Sequence, residues 1–503
     1  MSTANSQSTA HLEEASKGAG KVRVRIAPSP TGHLHVGTAR TALYNYLYAK
    51  RHNGTFVLRL EDTDEVRSRD EFTHDIIDGL KWLGLSWDEG PDIGGPYPPY
   101  KQTEKVDHYE HFADKLIRDG RAYLCYATAE ELALLKEDQK ETGQAPRYDN
   151  RGRDLTDAAR TKYEAEGRIP SVRFIVDEPR MVSWQDSIKG EISIDTSDLG
   201  GDMVIIKSTG TAIYNFAVVI DDIDMKMTHV IRGEDHIHNT AKQLLIYEAL
   251  AINPPVFAHA PLIFDLERQK LSKRKHGETV HIDYYRKMGY MPEAIVNYLA
   301  QMSWTHPEGK EIYTLDEVAP LFDLDKVSKS PAVFDVARLN WFNGHYIRSL
   351  ALSLITERAR PFLSQAGFNL SAYEGAQIEQ IVGSVREGLT TLSELPDAVR
   401  FFFAEKPELS EEVKTTVLAG EKPAQVLKTL KDKLADMPWG DAPALKKAVD
   451  AMGKELALKG KDLYWPIRAA LSGKTQGPDL GVTLAILGRE RVLVRLESAL
   501  SHC

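Results

Sequence analysis

The chain has 503 residues, of which 42% are hydrophobic and 27% are charged, and its formal net charge is −10. This length predicts about three domains. No apolar run reaches the roughly 18 residues of a membrane-spanning helix, so none is expected. The negative balance argues against a generally basic coat for nucleic acid, so any RNA binding would depend on local patches of Lys and Arg.

The N-terminal segment and the cysteines indicate the compartment. Residues 1–20 are rich in Ser, Thr, Ala, Glu and Lys and lack the apolar stretch of a signal peptide, so we expect a disordered tail. Cys125 and Cys503 are the only cysteines, so no disulfide framework is expected. A cytoplasmic location is the simplest expectation, and a short transit segment is the alternative.

The segment after the tail has the pattern of a strand, a turn and a helix. Val22, Val24 and Ile26 alternate with arginines, as in a strand with one buried face. Two prolines and Gly32 then interrupt regular structure. Beyond Gly37, apolar residues recur at the spacing of one face of an amphipathic helix, namely Ala39, Ala42, Leu43, Tyr46 and Leu47.

Gly37 and Thr38 would begin that helix. Unpaired N–H groups and the positive end of the helix dipole favour anions at this position, and the lack of a side chain at Gly37 lets a nucleotide approach the backbone. His35 would donate a hydrogen bond to a phosphate there. The alternative for His35 is a structural one, in which it only caps the helix or is satisfied at the surface.

A basic segment lies far downstream, with the sequence Lys270-Leu271-Ser272-Lys273-Arg274. Its lysines are point charges on flexible stems and suit the pyrophosphate end of ATP. The alternative is a solvated basic loop, which most runs of charge are. Taken together with His35-Val36-Gly37-Thr38, the segment indicates the two halves of one ATP site.

Five segments resemble the glutamyl-tRNA synthetases of the bacterial type, a family of class I aminoacyl-tRNA synthetases. They span residues 25–64, 80–91, 214–222, 229–236 and 270–277. The run Ala27-Pro28-Ser29-Pro30 has the bacterial form, whereas the glutaminyl enzymes usually carry a Pro-Pro-Glu-Pro-type segment there. The resemblance extends in order from about Val22 to the C-terminal end.

The resemblance implies an α/β fold: a Rossmann-like nucleotide-binding domain with an α+β insertion, followed by all-α stem-contact and anticodon-binding domains. The predicted boundaries are 1–20 for the tail, 21–103 and 214–270 for the two halves of the catalytic domain, 104–213 for the inserted domain that binds the acceptor end, 271–348 for the stem-contact domain, and 349–503 for the anticodon-binding domain. An all-helical C-terminal region is typical of the bacterial glutamyl enzymes, since the glutaminyl enzymes have β-barrels there.

Local patterns predict the following elements. We expect strands at 56–60, 172–175, 192–194 and 216–220. We expect helices through Phe72, Ile76, Leu80 and Leu83, from Pro292 onward, and through Leu493, Leu496 and Leu500.

The implied reaction activates a carboxylate with ATP and transfers the acyl group to a ribose hydroxyl of tRNA. Neither step needs a side-chain nucleophile, so positioning and charge neutralisation carry the catalysis. By resemblance, the catalytic residues are His35, Lys270, Lys273 and Arg274, and the ATP contacts are His35, Gly37, Thr38, Lys273 and Arg274. Mg²⁺ would accompany ATP and needs no dedicated protein cage.

Recognition of glutamate requires a positive group that faces a carboxylate, and arginine can pair with one through two hydrogen bonds. The family positions that hold the amino acid match Arg25, Ala27, Ser29, Glu61, Tyr214 and Arg232. Glu61 suits the substrate ammonium group, and Tyr214 can hydrogen-bond near the carboxylate. The structural alternatives are a pairing of Glu61 with Arg59 or Arg67, and a half-buried strand position for Tyr214.

The sequence departs from the family pattern at several positions. Thr38 replaces the second histidine of the His-x-Gly-His motif, so His35 would act without it. Some relatives hold zinc in the insertion through a Cys-x-Cys pair and a later cysteine, but the corresponding positions here are Cys125, Ala127 and Gly152. One cysteine cannot sustain a four-ligand site, so we predict no structural zinc and expect Cys125 to be a small buried hydrophobe.

Anticodon recognition is predicted at Arg400, which precedes Phe401, Phe402 and Phe403. A guanidinium with aromatic neighbours can stack on an unstacked base or hydrogen-bond to it. The alternative is a set of core phenylalanines with a snorkelling arginine. Because Phe401 and Phe402 are adjacent on a helix, we expect them not to face the same way.

The resemblance implies a monomeric glutamate–tRNA ligase that uses ATP, L-glutamate and tRNA(Glu), and we expect no membrane partner. Charging of tRNA(Gln) as well stays open, and activation of glutamate is expected to wait for tRNA. A tRNA-modifying enzyme of the glutamyl-queuosine type would lack the helical C-terminal domain. A non-catalytic tRNA-binding paralogue would have lost His35, Lys273 or Arg25, and a small-molecule nucleotidyltransferase would need neither the insertion nor the anticodon domain.

Overall fold

The computed structural model describes residues 21–64, 66–177 and 179–503. The described residues form two compact units. One comprises the residues up to 285 together with 295–335, and the other comprises 286–294 together with 336–503. Within the described ranges, no helix is both long and apolar enough to cross a membrane.

The first unit opens with alternating strands and helices. In chain order these are β1 (Arg23–Ile26), α1 (Val36–Arg51), β2 (Thr55–Leu58) and α2 (Asp70–Trp82), and β1 pairs in parallel with β2. The predicted strand, turn and helix are confirmed. The expected single apolar face of α1 was wrong, because Tyr44 and Asn45 are fully buried as well and other elements cover the helix on all sides.

The next stretch mixes helices with short antiparallel strands. Its elements are α3 (Val106–Arg118), β3 (Ala122–Cys125), α4 (Ala129–Glu141), α5 (Asp157–Ala165), β4 (Ser171–Phe174), β5 (Met181–Asp186), β6 (Gly190–Asp195) and β7 (Met203–Ile206). β4 lies between β3 and β7, and β5 and β6 form a hairpin. The strands predicted at 172–175 and 192–194 are confirmed with small shifts of their ends.

Parallel pairing resumes with α6 (Tyr214–Asp224), β8 (His229–Gly233), α7 (Ile237–Ala249) and β9 (Val256–Ala260). The strand predicted at 216–220 was wrong, since this segment lies within α6. An apolar run without polar interruptions has no readable period, so a buried helix and a buried strand look alike in sequence. The first strand after this helix is β8.

The two parallel pairs lie side by side. The backbone N–H of Thr228 donates to the Arg23 carbonyl at 3.0 Å, and the Arg23 N–H donates to Thr228 Oγ1 at 2.9 Å. These bonds hold the beginning of β8 against the beginning of β1. The functional side chains described below lie toward the carboxyl ends of these two strands.

The rest of the first unit includes β10 (Ile263–Phe264), α8 (Lys273–His276), α9 (Ile282–Lys287), α10 (Pro292–Gln301), α11 (Leu315–Val318) and β11 (Ala332–Val333), with α9 and α10 each extending into the residues of the second unit. β10 and β11 pair in parallel. The predicted helix start at Pro292 is confirmed. Proline is favoured there because the first helical residue has no intrahelical N–H partner to lose.

Beyond residue 335, the regular elements of the described chain are helical, apart from short 3-10 turns and one π-helical turn. They are α12 (Val336–Ser349), α13 (Leu352–Gln365), α14 (Gly375–Val385), α15 (Leu395–Phe403), α16 (Glu411–Val413), α17 (Glu421–Lys433), α18 (Ala442–Glu455), α19 (Lys461–Ser472) and α20 (Leu480–Leu500). The all-helical prediction for this region is confirmed. Leu496 is fully buried in α20, and Leu493 and Leu500 are half-buried.

Candidate active site

An open cavity of about 640 Å³ lies at the carboxyl ends of β1 and β8. Ligands of open α/β sheets bind at this edge, where the two halves of the sheet meet. The lining includes most of the residues predicted from sequence, namely Arg25, Ala27, Ser29, His35, Gly37, Thr38, Glu61, Tyr214, Arg232 and Lys270. The structure therefore brings the residues predicted for ATP and for glutamate into one cavity.

His35 is the N-cap residue of α1. Its Nδ1 accepts a hydrogen bond from the Gly37 N–H at 3.0 Å. Burial, together with His281 and Lys270, lowers the pKa of His35 to about 4, so the imidazole is neutral at neutral pH. Because Nδ1 acts as an acceptor, the proton resides on Nε2. His35 therefore caps the helix, as its structural alternative predicted. The capping hydrogen bond uses Nδ1, so the N–H of Nε2 can still donate to a ligand.

The first turn of α1 is suited to an anion. It contains no acidic residue, and Gly37 and Thr38 are both half-buried in the cavity wall. A Cβ at Gly37 would lie 3.3 Å from His35 Nδ1, so a larger residue would crowd the cap. The backbone N–H groups of this turn and the helix dipole together favour a phosphate group.

The basic segment divides between the cavity and the surface. Lys270 lines the cavity, and its Nζ lies 3.2 Å from Asp235 Oδ2. Lys273 and Arg274 are exposed on α8 and do not belong to the lining. In the described part of the chain neither of them forms an ion pair. Lys275, in contrast, is neutralised by two carboxylates, those of Asp265 and Glu267.

Arg25 and Arg59 share one buried carboxylate. Asp222 accepts from Arg25 Nε at 3.2 Å, from Arg25 Nη2 at 3.3 Å and from Arg59 Nη1 at 2.7 Å. Burial opposes ionisation of Asp222, but the two guanidiniums hold its pKa below the usual value. The described contacts occupy Nε and Nη2 of Arg25, which leaves its Nη1 for a ligand.

Glu61 takes up one of its predicted structural partners. Its Oε1 lies 3.2 Å from Arg59 Nη2, whereas Arg67 pairs with Asp64 instead. Burial raises the pKa of Glu61, and Arg59 and Arg25 oppose that rise. Glu61 also lines the cavity, so the pairing with Arg59 and a contact with a substrate ammonium group are compatible.

Arg232 is buried, and its hydrogen bonds within the described residues are to neutral groups. Its Nη2 donates to Thr240 Oγ1 at 2.6 Å and to Gln243 Oε1 at 2.8 Å, and its Nη1 donates to the Tyr214 hydroxyl at 3.4 Å. Among the residues that the structure describes, no carboxylate forms an ion pair with it. Burial lowers the pKa of Arg232, yet arginine remains charged at neutral pH. A buried cation without a carboxylate partner calls for an anionic ligand.

Tyr214 occupies a helix, not a strand. It is the first residue of α6 and is half-buried in the cavity wall, so the strand position given above as its structural alternative was wrong. Its hydroxyl lies 3.0 Å from His236 Nδ1 as well as near Arg232. Tyr214 therefore bridges His236 and Arg232 through its hydroxyl, at the end of the cavity where the buried arginines lie.

Several lining residues were not predicted from the sequence, namely Arg40, Asp235, His236 and Asn239. Burial, and then Arg232, lower the pKa of His236 to about 4. Asp235 and His236 end the segment 229–236 that carried the resemblance, so the signal was present but gave no reason to assign a contact. Arg40 lies three residues after Gly37 on α1, and this spacing could have indicated it.

The positions that hold zinc in some relatives converge but carry other groups. Cys125 is buried, as predicted, and its Sγ lies 3.2 Å from the Tyr148 hydroxyl. The Gly152 N–H donates to the same hydroxyl at 3.1 Å. Across the described ranges, no group of three or more His, Cys, Asp or Glu is arranged to hold a metal ion. The absence of structural zinc stays a prediction.

Arg400 lies on the surface of α15. It pairs with Asp397 at 2.9 Å, and its guanidinium lies 5.5 Å from the ring centroid of Phe368. Phe401 and Phe402 are both buried, with ring centroids 4.0 Å apart, as the alternative of core phenylalanines predicts. Base recognition by Arg400 stays a prediction.

The chain matches two family models. Residues 21–341 match the model described as tRNA synthetases class I (E and Q), catalytic domain, and residues 354–500 match the model described as anticodon binding domain. The second match disfavours the tRNA-modifying alternative, because that enzyme would lack the helical C-terminal domain. The fold class predicted from sequence is confirmed by both matches.

Similar proteins cover nearly the whole chain. The glutamate–tRNA ligase of Carboxydothermus hydrogenoformans is 46% identical over 93% of this chain and 97% of its own length. That of Bacillus subtilis is 42% identical over 95% and 99%. A solved glutamate tRNA ligase from Elizabethkingia meningosepticum, in complex with its amino acid, has a TM-score of 0.87 and 33% identity over 96% of this chain and 99% of that one. The chain therefore belongs to the glutamate–tRNA ligase family of class I aminoacyl-tRNA synthetases.

Proposed function

We propose that the cavity binds ATP and L-glutamate together and forms glutamyl-adenylate, and that the enzyme then transfers the glutamyl group to the terminal 2′-OH of tRNA(Glu). The observation that carries this proposal is the buried Arg232, a cation that faces the cavity without a carboxylate partner among the described residues. An amino acid with two carboxylates supplies the missing anions. Arg25 and Arg232 provide one guanidinium for each of these two carboxylates.

The phosphate side of the cavity supports binding of ATP. The first turn of α1 offers backbone N–H groups, and Nε2 of His35 carries a proton that can be donated to a phosphate oxygen. Lys270 lies at the same wall. Lys273 and Arg274 have no ion-pair partner in the described structure, so their positive charges are available to the pyrophosphate if α8 moves toward the cavity. Mg²⁺ would enter with the ATP phosphates.

The chemistry that follows needs no protein nucleophile. The α-carboxylate of glutamate attacks the α-phosphorus of ATP, and pyrophosphate leaves. The tRNA 2′-OH then attacks the carbonyl carbon of the adenylate, and AMP leaves as the ester forms. The residues of the chain hold the two substrates in line and neutralise the charge that develops on the pyrophosphate. Glu61 holds the substrate ammonium group, and Tyr214, Ala27 and Ser29 shape the pocket around the amino acid.

The other parts of the chain serve the tRNA. We infer that 104–213 binds the acceptor end, 271–348 contacts the stem, and 349–503 reads the anticodon, with Arg400 as one contact to a base. The match of 354–500 to an anticodon binding domain supports the last assignment. We further propose that the enzyme acts as a monomer in the cytoplasm. Whether tRNA(Gln) is also a substrate depends on the anticodon-binding part.

A charging assay tests the proposal. Radiolabelled glutamate, ATP and Mg²⁺ are incubated with separately transcribed tRNA(Glu) and tRNA(Gln), beside a Lys273→Ala control. We expect labelled tRNA(Glu) with the wild-type protein and strong loss with the variant. Label on tRNA(Gln) as well would identify a non-discriminating enzyme. Failure to charge either tRNA, with tRNA still bound, would contradict the proposal and support a non-catalytic tRNA-binding role.

A further inference from the structure

A buried pair stands behind Arg232. His259 on β9 is the register partner of Arg232 on β8, so the two side chains leave neighbouring strands on one face of the sheet. Arg232 Nε lies 3.3 Å from His259 Nε2, and His259 Nδ1 lies 2.5 Å from Asp186 Oδ2. Asp186 is the last residue of β5 in the inserted region. His259 is 0% exposed and Asp186 1% exposed, so both side chains are shielded from bulk solvent.

The chain of contacts fixes the protonation of His259. A carboxylate can only accept, so Asp186 Oδ2 requires a proton on Nδ1 of the imidazole. Burial and the nearby Arg232 lower the pKa of His259, which keeps the ring neutral. Its Nε2 therefore carries a lone pair and accepts from Arg232 Nε. Thr240 Oγ1 lies 2.9 Å from the same nitrogen, and among the described residues it is the remaining contact of Nε2.

We propose that Asp186 is a positioning residue for amino acid binding: through His259 it fixes the orientation of the Arg232 guanidinium toward the cavity. This inference rests on the function proposed above. Thr240 and Gln243 hold one end of the guanidinium, and His259 holds the Nε edge. With these acceptors in place, Nη1 is the nitrogen that remains for a substrate carboxylate beside the Tyr214 hydroxyl. A fixed guanidinium loses little freedom when the substrate binds.

Asp186→Asn tests the chain of contacts without removing the side chain. Asp186 Oδ1 accepts from three backbone N–H groups, those of Ile188 at 3.0 Å, Lys189 at 2.9 Å and His259 at 3.1 Å. The asparagine oxygen must keep this role, so the amide NH₂ takes the place of Oδ2 and donates to His259 Nδ1. The proton then moves to Nε2, where it opposes Arg232 Nε–H. The backbone contacts of the turn between β5 and β6 are retained.

Steady-state charging of tRNA(Glu) by the full-length enzyme gives the readout. We expect Asp186→Asn to raise the KM for glutamate about tenfold, the size of one lost hydrogen bond to a charged group, and to change the KM for ATP less than about twofold. A role in stability alone would not separate the two substrates. Asp202→Asn is the matched control, since Asp202 is equally buried in the inserted region but its carboxylate contacts Tyr123, Arg153 and the Val176 N–H instead of the neighbours of Arg232. It is expected to lower the melting temperature and leave the KM for glutamate unchanged.

A second variant gives a rescue test. In His259→Gln, the amide oxygen can reach the place of Nε2 and accept from Arg232 whether residue 186 is Asp or Asn. Asp186→Asn should therefore add less than about a twofold rise in KM to the His259→Gln enzyme. In His259→Asn, the shorter side chain reaches Asp186 but not Arg232, so we expect the tenfold rise again. This pair of variants also carries the test if Asp186→Asn does not fold.

The outcomes separate the two proposals. An unchanged KM for glutamate in Asp186→Asn, or an equal penalty in the wild-type and His259→Gln backgrounds, would overturn the positioning role while the enzyme remains a ligase. A wild-type enzyme that charges no tRNA with glutamate would overturn the proposed function, and the positioning role with it. Both proposals are supported if Asp186→Asn raises the KM for glutamate tenfold in the wild-type background and adds almost nothing in the His259→Gln background.

Discussion

Arg25 and Asp222 form a buried two-point pair, in which Arg25 Nε lies 3.2 Å from Oδ1 and Nη2 lies 3.3 Å from Oδ2. Asp222 lies near the C-terminal end of α6, where the helix dipole disfavours a negative charge. Two guanidiniums, those of Arg25 and Arg59, compensate for this cost. The pair ties the strand β1 to the helix α6 directly beneath the cavity.

We expect Asp222→Ala to destabilise the first unit strongly. The substitution leaves two buried guanidiniums without their shared carboxylate, and breaking a buried ion pair from one side costs about 3–5 kcal/mol of unfolding free energy. Urea denaturation at pH 7 measures the loss. Glu71→Ala is the control, because the Arg69–Glu71 pair is exposed and its loss should cost less than about 1 kcal/mol. Equal effects of the two substitutions would contradict the account.

The cap and the phosphate donor on His35 can be separated by His35→Asn. Asparagine is among the best N-cap residues, so its oxygen replaces Nδ1 as the acceptor for the Gly37 N–H, but it has no counterpart of Nε2. We expect an unchanged melting temperature and a fall in kcat of about 100-fold, as for the loss of one donor to developing negative charge. Turnover like that of the wild type would show that His35 is only a cap.

Stability should fall in mild acid because of buried histidines. Burial lowers the pKa of His229 to about 4, and His35 and His236 are shifted to the same value. In the unfolded chain an imidazole titrates near 6.5, so between about pH 6.5 and 4 the unfolded state binds more protons and the unfolding free energy falls as the pH falls. Each histidine should contribute about 1–3 kcal/mol across this window.

His229→Gln isolates one of these groups. Glutamine can keep the contact that His229 Nε2 makes with the Tyr48 hydroxyl at 3.1 Å, and it does not titrate. We expect a shallower dependence of the unfolding free energy on pH than in the wild type, measured by urea denaturation between pH 7 and pH 4.5. His74→Gln, the same substitution at an exposed position, is the control for the change of side chain. Parallel curves for wild type and His229→Gln would refute this explanation of acid sensitivity.

The two ends of the nucleotide site differ in how well the sequence predicted them. The strand, turn and helix around Gly37 were predicted correctly, because alternation, proline and helical spacing are local signals. The strand at 216–220 was not, since an apolar run has no period and only packing decides between helix and strand. The segment forms the helix α6 instead, and this helix places Asp222 against Arg25. The two residues are 197 positions apart in the sequence.

The contacts behind Arg232 could not be predicted from any local pattern. Arg232 itself was found through the segment 229–236, but its neighbour His259 follows from the register of β8 against β9. Asp186 comes from a hairpin in the inserted region, and its place behind His259 depends on how that hairpin packs. Contacts between side chains on distant strands depend on how the strands pair and pack. A single sequence does not show that packing.

Charging kinetics of Arg232→Gln test the central claim most directly, because this guanidinium is the buried cation that the proposed function assigns to a substrate carboxylate. Glutamine keeps donors for neighbouring groups but carries no charge. We predict that the KM for glutamate in tRNA(Glu) charging rises about 10- to 100-fold, the value of a charge-assisted hydrogen bond, while the KM for ATP stays within about twofold. A KM for glutamate equal to that of the wild type would contradict the central claim.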